Sequence, residues 1–262
     1  MLRLRSGIFL AVFYINTAVF LILGSPLLIG PRRWAMAGLK AHGRASLWWL
    51  QVICGTRLVV RGLEKLPPGP VIVAAKHQAA WDTFAIVTLM RDPAMVMKNE
   101  LMSIPLYGWF SRKFGMIPVK RETGPSALRA MLQEAKDRAA QDREIVIFPE
   151  GTRRAPGASP QYFTGVALLY EALGVACCPV ALNSGLYWPR RSILRYPGEI
   201  VVEFLDPIPA KLPRREFLSR LQGSIEEAVA RLQHEALSAA TPPPEPDIEI
   251  KPIPLQRSSG NA

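Results

Sequence analysis

No acidic residue occurs before Glu64. Over that stretch Arg3, Arg5, Arg32, Arg33, Lys40, Arg44, Arg57 and Arg61 are all basic, and these eight charges supply most of the formal net charge of +11. A basic excess spread over a folded face suits nucleic acid. Confined to the flanks of apolar sequence, as here, it suits anionic lipid headgroups instead. Cysteine is scarce as well. Cys54, Cys177 and Cys178 make no disulfide framework and lack the spacing and histidine partners of a zinc site, which fits a reducing compartment. There is no Walker A loop, no Gly-x-Gly-x-x-Gly and no Gly-x-Ser-x-Gly elbow. These absences argue against P-loop nucleotide chemistry, Rossmann dinucleotide binding and a hydrolase-type serine nucleophile.

What is present begins with an uncharged run from Gly7 to Ile29, "GIFLAVFYINTAVFLILGSPLLI". It has the roughly 20 residues that a helix needs to cross a hydrocarbon core. The run is long for a signal-peptide core and no small-x-small cleavage site directly follows it. A mitochondrial transit peptide would be amphipathic rather than continuously apolar. Pro26 and Pro31 interrupt the run, and the stretch from Trp34 to Cys54 mixes apolar residues with Lys40, His42 and Arg44. That second piece reads as an interfacial helix with Trp48 and Trp49 at headgroup depth. A helical pair dipping into one leaflet and a full span both satisfy the pattern, and basic residues on both flanks leave the orientation unset.

After Arg57 the pattern changes to short β-branched runs. Strands are expected at 57–62, 70–75, 94–98, 116–120, 144–148, 176–182 and 199–205. Several are apolar on both faces, as strands covered by helices on each side must be. Helical spacing marks Ser126 to Ala140, with Pro125 at its start, and the series Phe217, Leu221, Ile225, Val229 and Leu232. The organisation expected is therefore a membrane-associated helical segment over 1–56, an α/β domain over 57–238 and a proline-rich, disordered tail over 239–262.

His77 stands at the end of the apolar run "VIVAAKHQAAWDT", with Asp82 five positions on. On a regular helix that spacing separates two residues by about 140°. They meet only if the chain leaves a strand at His77, turns, and starts a helix near Asp82, a geometry that "DTFAIVTLM" permits. Such a pair suits general-base catalysis. A neutral imidazole takes a proton from a hydroxyl during attack on a carbonyl, and a carboxylate on the other ring nitrogen fixes its tautomer. No serine or cysteine nucleophile is visible, so direct attack by a substrate hydroxyl is the economical reading. Taken alone, His-x-x-x-x-Asp is short and common, and a structural histidine is the commoner fact. His42 and His234 carry no comparable carboxylate.

Two further stretches change that balance. "IFPEGTRR" (147–154) follows a strand and puts Glu150, Gly151, Thr152 and Arg153 in a tight turn, where glycine lets backbone N–H groups approach an anion. Arg153 adds a fork of donors suited to phosphate. "GMIPVKRET" (115–123) ends a strand with Lys120 and Arg121, although solvated surface cations are the commoner meaning of such a pair.

In this order, "HQAAWD", "GMIPVKR", "FPEGTR" and "CCPVAL" resemble the four blocks of the lysophosphatidic acid (1-acyl-sn-glycerol-3-phosphate) acyltransferase family, with "FPEGTR" the most specific. The likeness runs from about Arg57 to Asp206. It implies a mixed β-sheet flanked by helices, preceded by a membrane-docking helical pair at the cytoplasmic face of a bacterial inner membrane. It also implies transfer of a fatty acyl chain from acyl-CoA or acyl carrier protein to the sn-2 hydroxyl of lysophosphatidic acid, giving phosphatidic acid without metal or cofactor. His77 would be the base and Asp82 its orienter. Arg121 would grip the acceptor phosphate beside Lys120, while Glu150, Gly151, Thr152 and Arg153 shape the acceptor site. Lys76 and Ala79 depart from the asparagine and serine of many members, which removes polar support expected around His77. Thr164 stands where a lysine is frequent, and Arg154 is the candidate substitute. A different lysolipid, such as a lyso-ornithine lipid, would use the same chemistry. A non-catalytic, membrane-anchored scaffold would instead tolerate loss of His77.

Overall fold

The protein is described here by a computed structural model covering residues 1–120 and 124–245. Two long helices come first, α1 (Leu2–Leu23) and α2 (Arg32–Cys54), joined through a short turn at Pro26. Gly55, at φ 75°, lets α2 stop and the chain turn directly into β1 (Thr56–Arg61). There follow β2 (Ile72–Ala75), α3 (Trp81–Leu89), β3 (Ala94–Lys98), α4 (Tyr107–Phe114) and β4 (Ile117–Val119). Then come α5 (Gly124–Ala139), β5 (Ile145–Ile147), α6 (Gly165–Leu173), β6 (Cys177–Leu182), α7 (Ser184–Tyr187), β7 (Gly198–Phe204) and α8 (Arg214–Leu237). All seven expected strands form, each within two residues of its expected start.

The strands make one sheet in the order β1-β7-β6-β2-β5-β3-β4. From β6 to β4 every pairing is parallel, while β7 runs antiparallel to β6 and parallel to β1, so the sheet is mixed. Alternation along β2 and its neighbours explains the two cores. Val73, Ala75, Val146 and Val180 point to one face, which α1, α2, α3 and α4 cover with Phe9, Leu50, Ile86 and Phe110. Ile72, Ala74, Ile145 and Ala181 point to the other, covered by α5, α6 and α8 through Met131, Leu169 and the Phe217–Leu232 series. This is why the inner strands are apolar throughout.

The first two helices thus form a layer of the same core as the α/β domain. α1 turns Ser6, Phe9, Phe13, Asn16 and Phe20 inward, at spacings of three and four residues. Ser6 accepts from the Arg195 N–H, Phe9 and Phe13 meet the Trp188 ring, and Phe20 packs on Phe110. Asn16 donates to Ser46 Oγ at 2.9 Å and lies 3.0 Å from His42 Nδ1, so His42 belongs to the α1–α2 seam. The outward face carries Leu4, Ile8, Ile15, Val19 and Ile22, all exposed. By length and composition α1 is apolar enough to cross a membrane. Trp34 and Trp48 are exposed on α2, whereas Trp49 is half-buried against the core. Residues 246–262, most of the expected tail, lie outside the described residues.

The three cysteines are buried and unpaired. Burial pushes the Cys54 and Cys177 thiols up and carries Cys178 up to about 12. A disulfide-exchange reagent at pH 8 is therefore expected to titrate no thiol in the native protein and all three after denaturation. Rapid native labelling of any of them would contradict the packing described.

Candidate active site

β2, β5 and β6 lie side by side and run parallel, so their carboxyl ends open on the same sheet edge. The chain leaves β2 toward α3 on one face and leaves β5 toward α6 on the other. Neighbouring strands whose connections part in this way leave a crevice between them, the usual ligand position in open α/β sheets. "KHQAAWD" follows β2, "FPEGTR" follows β5, and an Asn-Ser-Gly turn follows β6. The topology therefore gathers three segments that are far apart in sequence.

His77 leaves the end of β2 and Asp82 sits in the first turn of α3. His77 Nδ1 lies 2.9 Å from Asp82 Oδ2. The same oxygen accepts the backbone N–H groups of Gln78 at 2.7 Å and Ala79 at 2.9 Å. Asp82 Oδ1 accepts from Ser184 Oγ at 2.5 Å. Asp82 is 0% exposed, so these donors replace the water that the carboxylate has lost. An ionised carboxylate accepts only, which makes Nδ1 the protonated ring nitrogen and leaves Nε2 with the free lone pair. The imidazole stacks on Phe148, with centroids 4.1 Å apart and planes at 21°.

The turn after β5 closes on this pair from behind. Gly151 takes φ 62° and donates its N–H to the Phe148 carbonyl at 2.9 Å, a left-handed position that favours glycine. Glu150 is buried, and its Oε2 accepts the His77 backbone N–H at 2.9 Å. The Arg154 N–H returns a bond to the His77 carbonyl at 2.8 Å, so both backbone groups of the histidine are held by this one turn. Thr152 and Arg153 face solvent, while Arg154 is half-buried and bonded to Gln161. Lys120 is exposed at the end of β4, three strands across from β2 on the same edge, an offset of about 14 Å at the strand axes. Arg121 lies outside the described residues. The crevice thus brings together His77, Asp82, Glu150, Gly151 and the start of the Thr152–Arg153 segment, with Lys120 set apart from them.

Sequence reading missed two features. Ser184 completes the shell of Asp82, and its signal was the polar Asn-Ser-Gly turn placed directly after an all-buried strand. Lys76 is the second. It is only 2% exposed and pairs with Glu150 at 2.9 Å and with Glu226 of α8 at 2.7 Å. Tyr162 donates to the same Glu226 oxygen at 2.9 Å. Polar support at His77 therefore comes from backbone N–H groups and from this buried cluster. Burial pushes the Glu150 carboxyl up from its usual range, and Lys76 with the His77 N–H opposes that push.

Removing one partner of a buried charge pair strands the other. Lys76→Met is thus expected to lower the unfolding free energy by ~3–5 kcal/mol in denaturant titrations. Adding Glu150→Gln should recover part of that loss, because the more deeply buried of the two stranded carboxylates is gone. Equal losses in the single and double variants would show that Lys76 acts by packing alone.

Residues 57–183 match the acyltransferase family model. The 1-acyl-sn-glycerol-3-phosphate acyltransferase of Pseudomonas aeruginosa is 33% identical over 159 residues, covering 61% of this chain and 62% of that protein. The chloroplastic LPAT1 of Arabidopsis thaliana, of the same description, is 29% identical and covers 79% of this chain and 59% of that one. The lyso-ornithine lipid O-acyltransferase of Pseudomonas aeruginosa is 28% identical over 207 residues, 71% of this chain and 78% of that protein. The chain thus spans about three-fifths of the length of the first two relatives. Its fold matches the crystal structure of the 1-acyl-sn-glycerophosphate acyltransferase PlsC from Thermotoga maritima with a TM-score of 0.74 at 20% identity, over 88% of this chain and 98% of that one. With its histidine and aspartate hydrogen-bonded at its mouth, the segment 57–183 is the part of the chain that matches the acyltransferase family.

Proposed function

We propose that the protein acylates the sn-2 hydroxyl of 1-acyl-sn-glycerol 3-phosphate, forming phosphatidic acid at a membrane surface. The observation that carries this reading is His77, bonded through Nδ1 to a fully buried Asp82 and set beside the turn that ends in Arg153. His77 Nε2 takes the hydroxyl proton as the oxygen attacks the thioester carbonyl of acyl-CoA or acyl carrier protein. Asp82 holds the ring and stabilises the imidazolium that forms, with Ser184 holding Asp82. The tetrahedral intermediate collapses, the C–S bond breaks, and the leaving sulfur takes the proton from the imidazolium. A thiolate leaves readily, so the step is written with no metal and no cofactor. Arg121 and Lys120 are assigned to the acceptor phosphate, with Arg153, Gly151 and Thr152 lining its approach. Glu150 acts from behind, through the His77 backbone.

The membrane reading rests on α1. Its inner face is packed along the helix against the domain, so the exposed Leu4–Ile22 stripe meets one leaflet rather than crossing both. Attachment at the cytoplasmic face brings the site to the headgroups and to the soluble donor. A second reading keeps the mechanism and changes the acceptor to a lyso-ornithine lipid, which a relative covered over 78% of its length favours by its name.

The test is acyl transfer by the purified, detergent-solubilised chain, with each lysolipid offered in turn with acyl-CoA and with acyl carrier protein. Activity on lysophosphatidic acid is expected, with His77→Ala lowering kcat by at least ~10²-fold in a folded protein. Asp82→Asn should follow, through the wrong imidazole tautomer. Activity confined to lyso-ornithine lipid would replace the acceptor. Full activity in His77→Ala would remove the base from the mechanism.

A further inference from the structure

Next to the histidine crevice lies a cavity of about 200 Å³, several times the ~30 Å³ share of one water. One wall is the turn between His77 and Asp82, at Ala79 and Ala80. The opposite wall is α1, at Phe13 and Tyr14. Arg153, Arg190, Arg191 and Arg195 supply all the charge of its lining, beside Trp188 and Ser192, and no carboxylate lines it. Among the described residues none of these four guanidiniums forms an ion pair, although most other arginines near a carboxylate do.

Arg195 is the decisive member. It is 5% exposed, its guanidinium lies 3.9 Å above the Trp188 ring, and both of its side-chain hydrogen bonds use Nη1, to the carbonyls of Ser192 and Leu194. Its Nε is buried with no partner. Burial pushes the group down to about 10. Arg190 donates to the Arg153 carbonyl at 3.1 Å, which ties this loop to the turn after β5. A buried cation that lacks a counter-charge, with three more cations around an open pocket, describes a site built for an anion.

We propose that Arg190, Arg191 and Arg195, with Arg153 at the rim, bind a phosphate group beside the reacting centre, and that its source is a headgroup of the surrounding bilayer. This inference rests on the membrane reading of α1. Tyr14 lines the pocket, while the exposed apolar stripe of the same helix faces the leaflet. The four arginines thereby stand at headgroup depth. The soluble thioester donor is the other carrier of the same chemistry.

The test compares the full chain with Arg190→Gln/Arg191→Gln, two exposed positions whose loss leaves the core intact. Partition onto phosphatidylcholine vesicles with and without phosphatidylglycerol is measured by flotation at low salt, and CoA binding by calorimetry. Wild type is expected to prefer the anionic vesicles, and the variant to lose at least about fivefold of that partition with CoA binding unchanged. Arg190→Lys/Arg191→Lys should retain most of it. Weakened CoA binding with unchanged vesicle partition would keep the phosphate site and assign it to the donor. Unchanged partition together with unchanged CoA binding would overturn the proposal. Neither readout needs turnover, so His77→Ala protein must behave as wild type, and failure of the acyl-transfer reading is seen separately.

Discussion

A carboxylate removed from water has to be surrounded by donors, and the site is arranged around meeting that need for Asp82. Two backbone N–H groups, the His77 ring and the Ser184 hydroxyl converge on it. Only a chain that leaves a strand and re-enters a helix within five residues supplies the first three. Only a strand ending beside β2 supplies the fourth. The turn geometry, the choice of β6 as neighbour and the orientation of the imidazole are thus consequences of one buried charge.

The second ordering element is the Lys76, Glu150, Glu226 and Tyr162 cluster beneath the histidine. It joins β2, the turn after β5 and α8, which belong to different layers of the fold. Buried ion clusters contribute little net stability against well-packed apolar groups, so what this one visibly does is hold its partners in place. Above it is the backbone of His77, clamped at its N–H by Glu150 and at its carbonyl by Arg154.

Strand positions were legible in the sequence because the inner strands are buried on both faces and bounded by turn residues. The histidine–aspartate pair was legible only together with the other three blocks, since its spacing separates the two residues on a helix and joins them only across a strand–turn–helix. The order of strands was not legible, since nothing local says that β5 inserts between β2 and β3. For that reason Lys120 looked like a neighbour of the site and stands across the sheet from it. Lys76 read as the loss of a polar helper because its partner Glu226 lies 150 residues further on. Ser184 escaped for the same reason: its role exists only once β6 pairs with β2.

α1 presents two apolar faces with different duties. The outer one meets the surroundings; the inner one gives Phe9 and Phe13 to the Trp188 wall that also borders the basic pocket. Clipping such a helix to gain solubility would therefore remove part of the packed core along with the exposed stripe. Solubility has to be engineered on the outer stripe, residue by residue, with the inner aromatics left in place.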